Sequence, residues 1–127
     1  MLMELNNTAF ADSIVAEINN IIEELHQQDA AFVEAKSKLL TRTLELNDIE
    51  DRILVEVAFD VSLSNERQRE AASASLKRKD DNWVSLTTKV IPELKDQIAR
   101  LDTERGFKQR KYNTLIAYLR AIASKNS

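Results

Sequence analysis

Apolar residues in the first half of the chain recur at alternating steps of four and three from Ile14 to Ile53. Only two positions of this row are polar, Gln28 and Arg42. The steps average about 3.5 residues, which is the period of a left-handed coiled coil, whereas a strand needs alternation. The row therefore predicts one long amphipathic helix over residues 8–59.

More apolar residues lie beside this row than a narrow coiled-coil seam requires. Thr8 or Asp12 is expected to cap the start of the helix, because both side chains accept hydrogen bonds from backbone N–H groups. A wide apolar surface suits contact with more than one neighbouring helix. The additional residues are Val15, Ile22, Val33, Leu40 and Leu54.

The clearest break in the chain is segment 60–65, which is rich in aspartate, serine and asparagine. Asn65 followed three residues later by Gln68 fits a capping box. We therefore predict a short, partly exposed helix at 66–79. Residues 80–82 offer either another break or a cap for a third helix.

A second row of apolar positions extends from Val84 to Ile122 and predicts a helix over residues 83–123. Pro92 lies inside this row, and a proline either bends a helix or occupies its first position. The row continues in register through Pro92, so a bend is the preferred interpretation. Residues 125–127 are expected to fray.

Two long rows, Ile14 to Ile53 and Val84 to Ile122, joined by residues 54–83, predict an all-α chain. We expect a single domain, 1–127, that forms a long antiparallel helical hairpin with one short extra helix and coiled-coil-like or dimeric four-helix-bundle packing. Ile53 then lies near Val84, and Ile14 near Ile122. The candidate helix-packing residues are Ile14, Ile18, Ile21, Leu25, Phe32, Leu39, Leu46, Ile49, Ile53, Leu94, Ile98, Leu101, Tyr112, Leu115, Leu119 and Ile122.

The near absence of turn-forming residues supports this architecture, because the chain has one glycine and one proline. The lack of cysteine excludes disulfides, thiolate catalysis and cysteine-ligated zinc. No glycine-rich phosphate loop is present, and no histidine lies near a plausible nucleophile, so we expect no enzyme activity and no cofactor. Glu23 and His26 have the spacing of a di-iron half-site, but the single histidine favours an ordinary surface pair. Neither a signal peptide nor a membrane span is expected, which predicts a cytoplasmic protein without membrane contact.

Charge is distributed unequally along the chain. Residues 1–60 contain four basic and thirteen acidic residues, whereas residues 61–127 contain fourteen basic and eight acidic ones. The antiparallel hairpin would place the acidic start beside the basic end, which explains the asymmetry without a partner. An electrostatic partner is the alternative. A lone hairpin covers only part of the wide apolar surface, so we also predict self-association, most simply as a homodimer.

The segment from Arg105 to Tyr112 is basic with interleaved aromatic residues, a composition that suits phosphates and bases. The competing interpretation is that these cations face the acidic first helix, that Tyr112 belongs to the core, and that the pI of about 5.3 opposes nucleic-acid binding. A second basic stretch, 67–79, also contains acidic residues, which is typical of a solvent-exposed helix surface. The candidate nucleic-acid contacts are Arg105, Lys108, Arg110, Lys111 and Arg120.

Arg105 and Lys108 interrupt the second apolar row at the level of Gln28 and Asp29 in the proposed hairpin. We predict that Asp29 or a nearby carboxylate pairs with one of these cations. Such a polar layer would fix the register and orientation of the helices. Two alternatives remain. In one, the two cations extend into water, and in the other, they bind phosphate.

The second half of the chain carries a loose pattern that consists of Asn65, Glu66, Arg69, Leu76, Asp80, Asp81, Trp83, Leu86, Tyr112, Leu115 and 119–123. This pattern resembles small helical proteins encoded by bacteriophages and integrated mobile elements, often beside recombination or replication genes. The resemblance covers about half the chain and implies an accessory role in phage or mobile-element DNA metabolism.

The sequence thus favours a non-enzymatic helical interaction protein that self-associates and binds an unidentified protein partner. Two alternatives stay open at this point. One is a nucleic-acid-binding accessory protein that uses the basic end of the third helix. The other is an inhibitor whose acidic first helix occupies the basic groove of a host protein.

Overall fold

The described secondary structure of the chain is entirely helical. The computed structural model describes residues 2–125, with side chains from residue 8 onward, so residues 126 and 127 of the expected frayed tail lie outside the described residues. The long first helix packs against the last one, which confirms the all-α fold. The elements are α1 (Leu2–Ala58), α2 (Glu66–Lys79), α3 (Asp81–Ser85), a π turn (Leu86–Val90) and α4 (Ile91–Lys125).

The start of α1 differs from the prediction. Thr8 and Asp12 lie inside the helix rather than at its N-cap, because α1 already begins at Leu2. Leucine, methionine and glutamate dominate the preceding residues and are good helix formers, so nothing there stops the helix. At the other end, the Phe59 N–H donates to the Val55 carbonyl at 3.1 Å and closes the last turn.

The predicted cap of α2 is confirmed in its main feature. The side chain of Asn65 accepts a hydrogen bond from the Gln68 N–H at 2.9 Å. In return the Gln68 side chain accepts from the Ser64 N–H at 2.7 Å, one residue earlier than in a standard capping box. The two bonds define where the second helix starts, at Glu66.

Asp80 ends one helix and begins the next, so both interpretations of residues 80–82 hold. Its N–H donates to the carbonyls of Leu76 and Lys77, which closes α2. Its carboxylate accepts from the Trp83 N–H at 2.9 Å and thereby caps α3. The same carboxylate forms an ion pair with Arg52 of α1 at 3.2 Å.

A π turn immediately before Pro92 corrects the predicted register. The Ile91 N–H donates to the carbonyl of Leu86, five residues earlier, and both of these residues are buried. Pro92 has no N–H to donate, and in a regular α-helix its ring would clash with the carbonyl four residues earlier. The wider π turn relieves that clash. The extra residue shifts the apolar row, and Trp83 and Leu86 pack into the core where Val84 was expected. The row is therefore interrupted at the π turn between Leu86 and Ile91, and it keeps the predicted register from Ile91 across Pro92 to Leu94 and Ile98.

The chain contains two compact units, each with its own core. One consists of Met1–Val33 and Ala99–Ser127, and the other of Glu34–Ile98. All sixteen candidate packing residues are buried or half-buried, whereas Arg42 of the same row is exposed. The buried core of the first unit contains Ile14, Ile18, Ile21 and Leu115, and that of the second contains Ile49, Ile53, Val57, Leu86 and Ile91.

None of the described helices is both long enough and apolar enough to cross a lipid bilayer.

Candidate functional site

Two ion pairs join α1 to α4 within the first unit. The Arg105 Nε lies 2.6 Å from the Asp29 Oδ1, and the Lys108 Nζ lies 3.2 Å from the Glu24 Oε2. The pairing predicted for Asp29 is therefore confirmed. The two cations interrupt the apolar row of α4, and their alkyl stems continue it.

Further polar and aromatic contacts complete this polar layer, which we define as Gln28, Asp29, Glu104, Arg105 and Lys108. The Arg105 guanidinium lies 4.6 Å from the centroid of the Phe32 ring, a cation–π distance. The Gln28 Nε2 donates to the Glu104 Oε2 at 3.3 Å, whereas its Oε1 atom is buried without a hydrogen-bond partner. Because the charged groups are partly exposed, each ion pair contributes only about 0–1 kcal/mol. The layer is thus better suited to selecting a register than to raising stability.

The five candidate nucleic-acid contacts fall into two groups. Arg105 and Lys108 are occupied by carboxylates of α1, as described above. Arg110, Lys111 and Arg120 are exposed, and none of them forms an ion pair with a described residue. Of the five candidates, these three are therefore the ones whose charge is not already paired with a described carboxylate.

Two exposed aromatic side chains accompany these free cations. Phe107 is 67% exposed and Tyr118 is 55% exposed. The Arg110 guanidinium lies 5.7 Å from the centroid of the Phe107 ring. Tyr112, the other aromatic residue of the basic segment, is half-buried against the core, as the competing interpretation expected. The spacing of Phe107 and Tyr118, eleven residues or about three helical turns, was the signal that could have placed both rings on one face.

A second apolar row lies on the solvent side of α1 in the other unit. Leu40, Leu44 and Leu54 are 62%, 55% and 64% exposed. Leu40 and Leu54 were expected to widen the buried row, but they point away from it. With Asn47 and Asp51 between them, the leucines repeat at steps of four and three, so a second coiled-coil pattern was present in the sequence. We name Leu40, Leu44 and Leu54 the outer leucine row.

A groove of about 640 Å³ lies between the end of α1 and α2. Val57 and Trp83 line it together with both acidic and basic residues of α2. The Trp83 Nε1 donates to the Glu50 Oε1 at 3.2 Å, which fixes the indole. In α2, Arg69 pairs with Glu66 at 3.4 Å, and Arg67 is exposed, so the mixed charge of this stretch is also seen on its surface.

Glu23 and His26, the pair with di-iron spacing, are both exposed on α1. Among the residues whose side chains are described, no group of three or more histidine, aspartate or glutamate residues could hold a metal ion.

Comparison of the chain with protein-family models, with curated proteins and with solved structures finds no match.

Proposed function

We propose that this chain is a non-enzymatic helical interaction protein that associates with a second copy of itself through the outer leucine row. The observation that carries the proposal is the exposure of three leucines on one side of α1. Large apolar side chains in a row on a helix surface are typical of a contact that is buried in an assembly.

The spacing of the row favours a second copy as its occupant. Asn47 lies seven residues from both Leu40 and Leu54. In an antiparallel pair with its two-fold axis at Asn47, Leu40 of one copy meets Leu54 of the other, and the asparagines meet each other. A central asparagine in a leucine row is a known means of fixing register in a coiled coil.

The apolar area is large enough for association at moderate concentration. Complete burial of one leucine side chain contributes about 1.5–3 kcal/mol. In the antiparallel pair Leu40 and Leu54 of each copy meet, whereas Leu44 lies level with Glu50 and Asp51 of the other copy. Four leucines therefore contribute a free energy of the same order as the cost of association, which is about 4–15 kcal/mol. We accordingly expect a dimer at micromolar concentrations rather than a permanent one.

The resemblance of the second half of the chain to phage and mobile-element proteins supplies the context of this proposal, an accessory role in DNA metabolism. Self-association is compatible with that role, since an accessory protein acts through contacts rather than through chemistry. This context rests on the resemblance alone, because the comparisons with known proteins found no match.

Light scattering after size exclusion tests the proposal. The parent chain should have the mass of a dimer at tens of micromolar, and Leu40→Glu should have the mass of a monomer, because the charge cannot be buried against a leucine. The control is Gln97→Glu, which adds the same charge at an exposed position of α4 and should remain dimeric. A parent chain with the mass of a monomer would contradict the proposal.

Cysteine cross-linking tests the antiparallel arrangement without background, because the chain has no cysteine. A mixture of Leu40→Cys and Leu54→Cys chains should form the mixed disulfide. A parallel dimer would instead link each variant to its own copy.

A further inference from the structure

The outer face of α4 combines free cations with exposed aromatic rings. We define the aromatic–basic face as Phe107, Arg110, Lys111 and Tyr118. Arg120 follows Tyr118 by two residues, or about 200° around the helix, and therefore lies outside this face. From Arg105 to the end of α4 the sequence has six cations and no carboxylate. Arg105 and Lys108 are paired with carboxylates of α1, and the remaining cations are opposite in sign to the formal net charge of the chain, −3, so this part of α4 is locally electropositive.

The spacing of the rings along α4 is regular. Phe107 and Tyr118 are eleven residues apart, which corresponds to about 16 Å along the axis and nearly the same side of the helix. Lys111 lies between them, four residues after Phe107. Arg110 stacks beside Phe107 at 5.7 Å, which holds that ring next to a positive charge.

We propose that the aromatic–basic face binds single-stranded nucleic acid. Arg110 and Lys111 would neutralise neighbouring phosphates, and unpaired bases would stack on Phe107 and Tyr118. Aromatic platforms beside a basic track are the means by which proteins bind single strands without reading a sequence. A duplex keeps its bases stacked on each other and cannot use the two rings, so the single strand is the better fit.

Two cations of the basic segment do not take part. Arg105 and Lys108 are held by Asp29 and Glu24 at 2.6 and 3.2 Å, which leaves them unavailable without breaking the polar layer. The proposed contacts therefore include fewer cations than the five that the sequence indicated. They add two aromatic residues, Phe107 and Tyr118. It is independent of the outer leucine row, which lies on α1 in the other unit.

Fluorescence anisotropy of short labelled oligothymidylate and oligouridylate, titrated with the full chain at low salt, provides the test. We expect binding whose affinity falls steeply with salt, with a slope on the logarithmic scale of about 0.7 for each phosphate neutralised. A duplex of the same length should bind more weakly. A preference for one of the two oligomers would identify the strand as DNA or RNA.

Substitutions separate stacking from simple charge attraction. Phe107→Ala and Tyr118→Ala should each lower the affinity about fivefold or more, whereas Tyr118→Phe should retain it. Lys111→Glu should weaken binding and reduce the salt slope. The matched controls are Phe59→Ala and Arg67→Glu, an exposed ring and an exposed cation outside the face, which should bind as the parent does.

Circular dichroism should give the same helicity for every variant, because all of the substituted residues are exposed. Absence of an anisotropy change at low salt would overturn the proposal. So would equal affinity for single strand and duplex, or full affinity in the Phe107→Ala/Tyr118→Ala double variant. A change of oligomeric state in that double variant would instead assign the face to a contact between copies.

Discussion

Arg105 of α4 forms an ion pair with Asp29 of α1, its Nε lying 2.6 Å from the Asp29 Oδ1, and its guanidinium lies 4.6 Å from the centroid of the Phe32 ring. The cation occupies a position at which the row of α4 would otherwise have an apolar side chain. Lys108, the next position of the row, pairs with Glu24. Two successive apolar contacts are therefore exchanged for weak, partly exposed ion pairs, which is expected where register matters more than stability.

The first prediction concerns these two cations. Arg105→Leu/Lys108→Leu should raise the free energy of unfolding by about 1–3 kcal/mol, because the leucines continue the apolar row. The same variant should lose its unique oligomeric state, since the polar layer no longer opposes other registers. Thermal unfolding and light scattering measure the two effects.

Arg110→Leu/Lys111→Leu is the matched control, because these cations are exposed and unpaired within the described residues. It should give no gain in stability. If the Arg105→Leu/Lys108→Leu variant is more stable but keeps the assembly state of the parent, the cations merely extend into solvent and do not fix the register.

The pairing of Arg105 with Asp29 could be predicted because two regular rows in an antiparallel hairpin fix which levels meet. The cap at Asn65 could be predicted because it depends only on neighbouring residues. The direction of Leu40 and Leu54 could not be settled from the buried row alone, because they also belong to a separate row on the opposite side. Of the two exposed rings of α4, Phe107 lies within the basic segment that the composition indicated, whereas Tyr118 lies six residues beyond the end of that segment and could be added only from the helical spacing.

The second prediction compares a buried residue of α1 with an exposed residue two positions further along the same helix. Ile53 is 4% exposed and packs in the core of its unit, whereas Val55 is 56% exposed. Ile53→Ala should lower the free energy of unfolding by about 2–5 kcal/mol through lost contacts and a cavity. Val55→Ala should change it by no more than about 0.5 kcal/mol. Equal losses in chemical denaturation would show that the burial of α1 is assigned incorrectly.

The third prediction concerns Asp60 in the loop after α1. The Ser62 hydroxyl and, secondarily, the Ser62 N–H donate to its carboxylate and lower the pKa of Asp60. These bonds stabilise the folded chain above the ordinary pKa of an aspartate, and that contribution is lost as the pH falls through the lowered pKa. Ser62→Ala should raise the pKa of Asp60 toward its ordinary value in an NMR titration.

Ser64→Ala is the control for that titration, because its hydroxyl bonds to Gln68 instead of Asp60. It should leave the pKa of Asp60 as it is in the parent. A Ser62→Ala chain in which Asp60 still titrates as in the parent would show that the hydroxyl has no part in the lowered pKa.

The last prediction concerns the π turn, which contains one residue more than an α-helical turn would. The sequence alone could not reveal it, because the choice between Val84 and Leu86 as the core residue depends on what α1 and α2 present. Deletion of Lys89, an exposed residue, should turn Leu86–Val90 into α-helix while Leu86 and Ile91 stay buried, now four residues apart. Pro92 would then clash with an α-helical carbonyl, at a cost of up to about 3 kcal/mol.

Deletion of Lys89 combined with Pro92→Ala should therefore be at least as stable as the parent, and deletion of Lys89 alone should be less stable. The matched control is deletion of Lys95, another exposed lysine, which lies in regular α-helix. Removing that residue rotates the remainder of α4 by about 100°, which withdraws Leu115 from its core and should unfold the chain. If circular dichroism and thermal unfolding show that the two deletions are equally damaging in the Pro92→Ala background, the extra residue is not confined to the π turn.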